Sequence, residues 1–161
     1  MRRVAVIAFA ALAVVSCANE AFINDVERAP NGELIDGGRL GTTNLRAGDC
    51  FNERSSSTVR SVDAVLCDEP HRGQVVGRAL AEPHHGWPGV APLTEEAGEL
   101  CAGLVGDFLA PGVDQLADLP QLDLTAYIPD EPAWEDGDRS VICWIETAER
   151  VTRDLRTAIG A

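Results

Sequence analysis

The chain has no lysine: all 13 basic residues are arginine, set against 26 acids, for a net charge of −13 over 161 residues. A field of that sign opposes nucleic acid, and the basic stripe that such binding needs is missing. There is no CxxC pair, no GxSxG turn and no glycine loop able to cradle a phosphate, so the common zinc, hydrolase and nucleotide signatures are absent together. No apolar run reaches the roughly 20 residues that cross a bilayer. These absences lead us to expect neither cofactor nor metal, no nucleic-acid partner and no enzymatic activity.

What is present begins at the N-terminus, MRRVAVIAFAALAVVSC. Arg2 and Arg3 precede an apolar run from Val4 to Val15, and the small residue Ser16 stands before Cys17. This is the layout of a secretory signal, and Val14–Cys17 resembles a bacterial lipobox. Residues 1–16 are therefore expected to be removed and Cys17 to be lipidated, with ordinary cleavage near Ser16 as the alternative. Two acyl chains hold a protein stably where one does not, at about 0.8 kcal/mol per buried methylene. Losing Arg2 and Arg3 leaves 11 arginines against 26 acids, so the charge of the processed chain is −15. Such a chain is repelled by an anionic membrane surface, and the lipid on Cys17 must be its contact with the extracytoplasmic face.

Four further cysteines, Cys50, Cys67, Cys101 and Cys143, make an even set in an exported chain. They allow three connectivities. Cys50 and Cys67 flank a Ser-rich loop (Ser55–Ser57), while Cys101 falls in a helical pattern and Cys143 in a late extended one. That placement favours Cys50–Cys67 and Cys101–Cys143, each stabilising by roughly 3 to 4 kcal/mol on loop-entropy grounds.

Residues 17–44 are poor in large apolar side chains and read as a flexible tether. A folded domain is expected over 45–146. Extended segments are expected at Leu45–Phe51, Thr58–Leu66, Gln74–Ala81, Gln121–Ile128 and Arg139–Ile145. The clearest element is a helix from Thr94 to Leu109, where Ala97, Leu100, Cys101, Leu104, Val105 and Phe108 form one apolar stripe and Thr94 offers an N-cap. The segment PDEPAWEDGD reads as a loop and residues 147–161 as a polar tail. The fold class expected is α+β, a small antiparallel sheet of about four strands with one main helix packed on it and two disulfides.

The densest chemistry lies in Cys67-Asp68-Glu69-Pro70-His71. A zinc ion takes four N, S or O ligands, and Cys67, His71, His84, His85 and nearby acids could supply them. Against this, a disulfide-bonded Cys67 has no thiolate, and Pro70-His71 then only shapes a turn into a strand. His84, His85 and Trp87 sit in a Pro/Gly loop, where binding residues concentrate. Trp134, amid acids, is read as a lid on the core edge, with an exposed partner anchor as the alternative. His71, His84, His85, Trp87 and Trp134 are the candidate binding residues, with no catalytic and no metal assignment.

Leu45-Arg46-Ala47-Gly48-Asp49-Cys50-Phe51, then Val62, Val65, Cys67–His71 and Val75, then Cys101 and Trp134–Arg139 with Cys143, resemble the septum-formation domain family of high-GC Gram-positive bacteria. The likeness spans roughly residues 45–145. One departure is Gln74, where that pattern has Glu. The resemblance implies a cell-envelope domain linked to division, with no established catalytic residues to carry over. The expected function is a lipid-anchored, non-enzymatic binding or scaffolding module whose partner is an envelope or division protein. The alternatives are zinc or thiol chemistry at Cys67 and His71, or a solute-binding lipoprotein.

Overall fold

A computed structural model describes residues 23–54, 60–109 and 121–156. The signal segment, Cys17 and the serines 55–57 lie outside the described residues. Eight strands and two helices follow in chain order: β1 (Glu27–Arg28), β2 (Leu34–Asp36), β3 (Gly38–Gly41), β4 (Cys50–Glu53), β5 (Ser61–Val65), β6 (His71–Leu80), α1 (Val90–Leu109), β7 (Leu122–Tyr127), α2 (Glu131–Glu135) and β8 (Ser140–Val151). A short 3-10 turn, Thr42–Asn44, follows β3. β1 and β2 form a two-stranded hairpin, and the others make one six-stranded sheet in the order β3-β5-β4-β6-β8-β7. Every pairing in it is antiparallel.

The expected α+β arrangement with about four strands is thus corrected to a mainly β fold with one principal helix. The larger sheet arises in segments whose sequence carries little periodicity. β3 has one large apolar residue, Leu40, which is fully buried once it pairs across from Val62. Residues 23–44 are consequently part of the folded body and not a tether. β8 continues past Ile145 to Val151, because both neighbouring strands extend alongside it, and Leu155 beyond it is fully buried. Residues 147–155 are therefore no free tail. The PDEPAWEDGD segment contains α2, whose Asp130 side chain caps the Ala133 N–H at 3.0 Å. α1 starts at Val90 instead of Thr94, and the Thr94 hydroxyl donates back to the Val90 carbonyl at 2.9 Å.

Two cores lie on the two faces of the sheet. On one, the helix stripe of Leu93, Ala97, Cys101 and Leu109 packs with Val76, Val141, Cys143 and Ile145. On the other, Leu40, Phe51, Val62, Val75, Ile142 and Trp144 cluster together, contributed by strands from β3 to β8. That second face curls on itself. Tyr127 of β7 donates to Glu53 of β4 at 2.7 Å, although two strands intervene in the sheet order. A flat sheet would hold strands three places apart at about 14 Å. Phe51, Trp144 and Tyr127 fill the curl, with ring centroids 5.1 to 6.2 Å apart. Gly73 lets the Phe51 ring lie against β6, since a Cβ there would stand 2.6 Å from a ring carbon.

The disulfides are Cys50–Cys67 and Cys101–Cys143, the pairing the chain favoured, closing loops of 17 and 42 residues. The second bonds α1 to β8 through the middle of the helix-side core.

Candidate functional site

β6 divides the candidate residues into two groups. As a ten-residue strand it separates His71 from the loop after Leu80 by about 30 Å. The candidates singled out in the sequence do not converge on one site.

His71 is fully buried, and its Nδ1 lies 2.8 Å from the Glu69 carbonyl. With Cys67 bonded to Cys50, no thiolate stands near it to share a metal. Among the described residues no group of three or more His, Cys, Asp and Glu side chains is arranged to hold a metal ion. CDEPH is a disulfide half, a turn closed by Glu69 N–H to the Leu66 carbonyl at 2.9 Å, and the start of β6.

At the other end, Trp134 is 2 % exposed and acts as the lid on the core edge. The Arg139 guanidinium lies over its ring, 3.6 Å from the centroid, and donates to the Trp134 carbonyl at 2.7 Å. Gly137 at φ +93° provides the turn that folds Arg139 back. Trp87 meets Trp134 edge-on at 5.9 Å, and His84 stacks on it at 6.1 Å while pairing with Glu96 at 3.3 Å. His85 is exposed. This end is a packed aromatic corner.

The open site is the cleft beside Cys50–Cys67, which motif reasoning did not reach. It has a volume of about 680 Å³ and lies between the β1–β2 hairpin, the Arg46–Cys50 turn, the Val65–Asp68 segment and the C-terminal Asp154 and Arg156. Asp49, 5 % exposed, anchors one wall. Its carboxylate takes a two-point hydrogen bond from Arg28 at 2.8 and 2.7 Å and a third from the Arg46 N–H at 2.8 Å. The turn itself is laid on β6 by reciprocal bonds, Gly48 N–H to the Val75 carbonyl and Val75 N–H to the Asp49 carbonyl.

Gln74 joins this wall to the C-terminus. Fully buried, its amide donates to Asp154 at 2.8 Å and to the Gly48 carbonyl at 3.3 Å, and its oxygen accepts the Leu155 N–H at 2.7 Å. Burial opposes ionisation of Asp154, but hydrogen bonds from Arg156 and Gln74 outweigh it and hold the carboxyl below its ordinary pKa. The same Asp154 contacts raise the Arg156 guanidinium above its ordinary value. Gly48, at φ +92°, is favoured by its backbone and lies close under the Arg156 side chain. No L side chain favours that backbone, and a Cβ would stand 2.8 Å from the Arg156 guanidinium. Elsewhere, burial followed by the Glu53 contact pushes the Tyr127 phenol well above its usual range, so it remains a donor.

The cleft lining mixes guanidinium, carboxylate and backbone groups with Leu34, Val65 and Leu66. Among the described lining residues none carries a hydroxyl, an imidazole or a free thiol. Walls of this composition suit the orientation of a polar ligand.

The family model described as septum formation matches residues 39–158, which includes the GDC turn, both disulfides, the Trp134 corner and the C-terminal wall of the cleft. No curated protein and no solved structure matches the chain. By that match, covering most of its length, the chain belongs to the septum-formation family.

Proposed function

We propose that this protein is exported, held to the extracytoplasmic face of the membrane by a lipid on Cys17, and serves septum formation as a binding module without catalysis. The cleft beside Cys50–Cys67 is the observation that supports it. Its walls are fixed by a disulfide and by the Arg28–Asp49 and Arg156–Asp154 pairs, while Arg46, Glu33 and Asp68 also line it. A preorganised polar cleft of this kind lowers the cost of holding a partner and supplies little for bond chemistry. Its partner is an envelope or division protein.

The experiment joins anchoring to place. The tagged chain, expressed in cells lacking their own copy, should collect at septa and restore normal septum spacing. Cys17→Ala should shed it from the membrane and lose rescue. Ala47→Trp, which fills the cleft at an exposed position, should leave the chain on the membrane and also lose rescue. Full rescue by Ala47→Trp would remove the cleft from the function, and even distribution around the cell with unchanged division on deletion would remove the septal role. Intact mass before and after reductive alkylation checks the lipid and the bonded cysteines in one sample.

A further inference from the structure

In a chain with 26 acids and 13 arginines, a pocket that gathers arginines and excludes acids runs against composition. One lies next to the cleft, with a volume of about 360 Å³. Among its lining residues are Arg28, Arg46 and Arg78, with the amides of Asn24 and Asn44, and none is an acid. Arg46 lines both this pocket and the cleft, so it stands on the ridge between them.

The three guanidiniums are not equivalent. Arg28 is offset by Asp49, to which it gives two hydrogen bonds. Arg78 donates to the Ser140 hydroxyl at 3.0 Å and to the Thr43 carbonyl at 2.5 Å, both neutral, so it is held in place with its charge intact. The Arg46 side chain reaches past Gly32 and is paired with no carboxylate among the described residues. Two uncompensated arginines therefore border one pocket beside neutral donors, Arg78 from one side and Arg46 from the ridge it shares with the cleft, where its guanidinium lies near Gly32. Planar guanidiniums match the oxygens of a tetrahedral oxyanion with paired N–H groups, and two of them match its double charge.

We propose that the Arg28–Arg46–Arg78 pocket binds a phosphate group, carried either by a free phosphate or phosphodiester polymer or by a lipid headgroup. Most of the surface repels such a group, so the pocket selects by position as well as by charge. The site does not rest on the septal reading, although Arg46 and Ala47 line both the pocket and the cleft.

The test uses the full chain, extracted from membranes in non-ionic detergent and titrated with inorganic phosphate at low salt. Saturable binding should weaken as sodium chloride is raised. The double variant Arg46→Gln/Arg78→Gln should bind at least about tenfold more weakly, since each change removes a charged donor. Arg54→Gln, in the exposed pair with Asp63, should bind as the parent does. Asn24→Asp places a carboxylate in the pocket without touching an arginine, and it too should weaken binding, which guards against a double variant that misfolds. Absence of saturable phosphate binding in the parent, or equal affinity in the double variant and Asn24→Asp, would overturn the site. Phosphate competing the chain off phosphatidylglycerol vesicles, or off soluble poly(glycerol phosphate), identifies the lipid or the polymer as source; competition with neither leaves free phosphate.

Discussion

The two ends of β6 are built on opposite principles. At the Ala81 end, Trp134 is buried under Arg139 and Trp87 packs edge-on against it, while His84 stacks on the same ring from the exposed side. At the His71 end the conspicuous Cys–His motif is structural. The cleft there is lined by Asp49, Asp154 and Arg156, held in place by Arg28 and Gln74, residues that advertise nothing locally. Rare side-chain types drew attention to the end where the chain needs volume. The end that holds the cleft is made from ordinary charged residues brought together from far apart.

The disulfides break the comparison most strongly. Removing Cys101–Cys143 as a double alanine variant should cost about 4 kcal/mol, because it closes the longer loop and both sulfurs are buried. Removing Cys50–Cys67 should cost about 3 kcal/mol on the same grounds, with the loss concentrated at the cleft. Urea unfolding of each variant measures the totals, and amide exchange locates them. Cys50–Cys67 should also be the first to react with a dithiol, since Cys67 is partly exposed while Cys101 and Cys143 are not. Equal reduction rates would deny the difference between the ends.

Gly73→Ala tests the sheet where the cleft end begins. Its Cβ would meet the Phe51 ring, and overpacking of this kind costs about 1 to 3 kcal/mol. An unchanged unfolding midpoint would mean that the ring is free to move.

Acid should act on the His71 end. Asp154 has a depressed pKa when folded, so its stabilising contribution is complete above the ordinary carboxylate value of about 3.9 and fades as pH falls through the lower folded value. The stability gap between the parent and Asp154→Asn should therefore be constant from pH 7 to about 5 and shrink below about 4. A gap that persists unchanged at pH 2 would show that the ionised carboxylate is not its source.

The smallest effect belongs to the opposite end. His84→Ala/His85→Ala should alter stability by no more than about 0.5 kcal/mol, because both are exposed and the His84–Glu96 contact lies at the surface. Stability and phosphate binding measured together would show whether this corner is inert.

What the sequence made legible was local. The apolar stripe of α1 put Cys101 on the buried face, and the positions of Cys50 and Cys67 on either side of one loop matched neighbouring strands, so both disulfides followed. β3 was not legible, because two glycines, an arginine and one leucine carry no alternation and gain their place only from β5. The end of β8 was hidden by Glu146, Thr147 and Glu149, polar residues whose place is set by pairing with β6, the buried Thr147 hydroxyl donating to the Arg72 and Glu149 carbonyls. The cleft depends on contacts across 21 positions for Arg28–Asp49 and 80 for Gln74–Asp154. No window of sequence contains both members of either pair. Gln74 shows the coupling well. A glutamate there would set a second carboxylate within 2.8 Å of Asp154 and would have no amide hydrogen to give it, so the choice at 74 and the presence of Asp154 belong together.

The curl of the sheet has a consequence for how the molecule breathes. The edge strand β7 is joined to β4, three places away in the sheet, by the Tyr127–Glu53 side-chain hydrogen bond and not by a continued backbone ladder. In deuterated water the amides of β8, flanked by β6 and β7 along much of its length, should be the last to exchange, while alternate amides on the outer side of β7 exchange early. The seam between β7 and the Glu53 end of β4 can then open and reseal while the rest of the sheet stays paired, a hinge in time on a scaffold that is otherwise stapled shut.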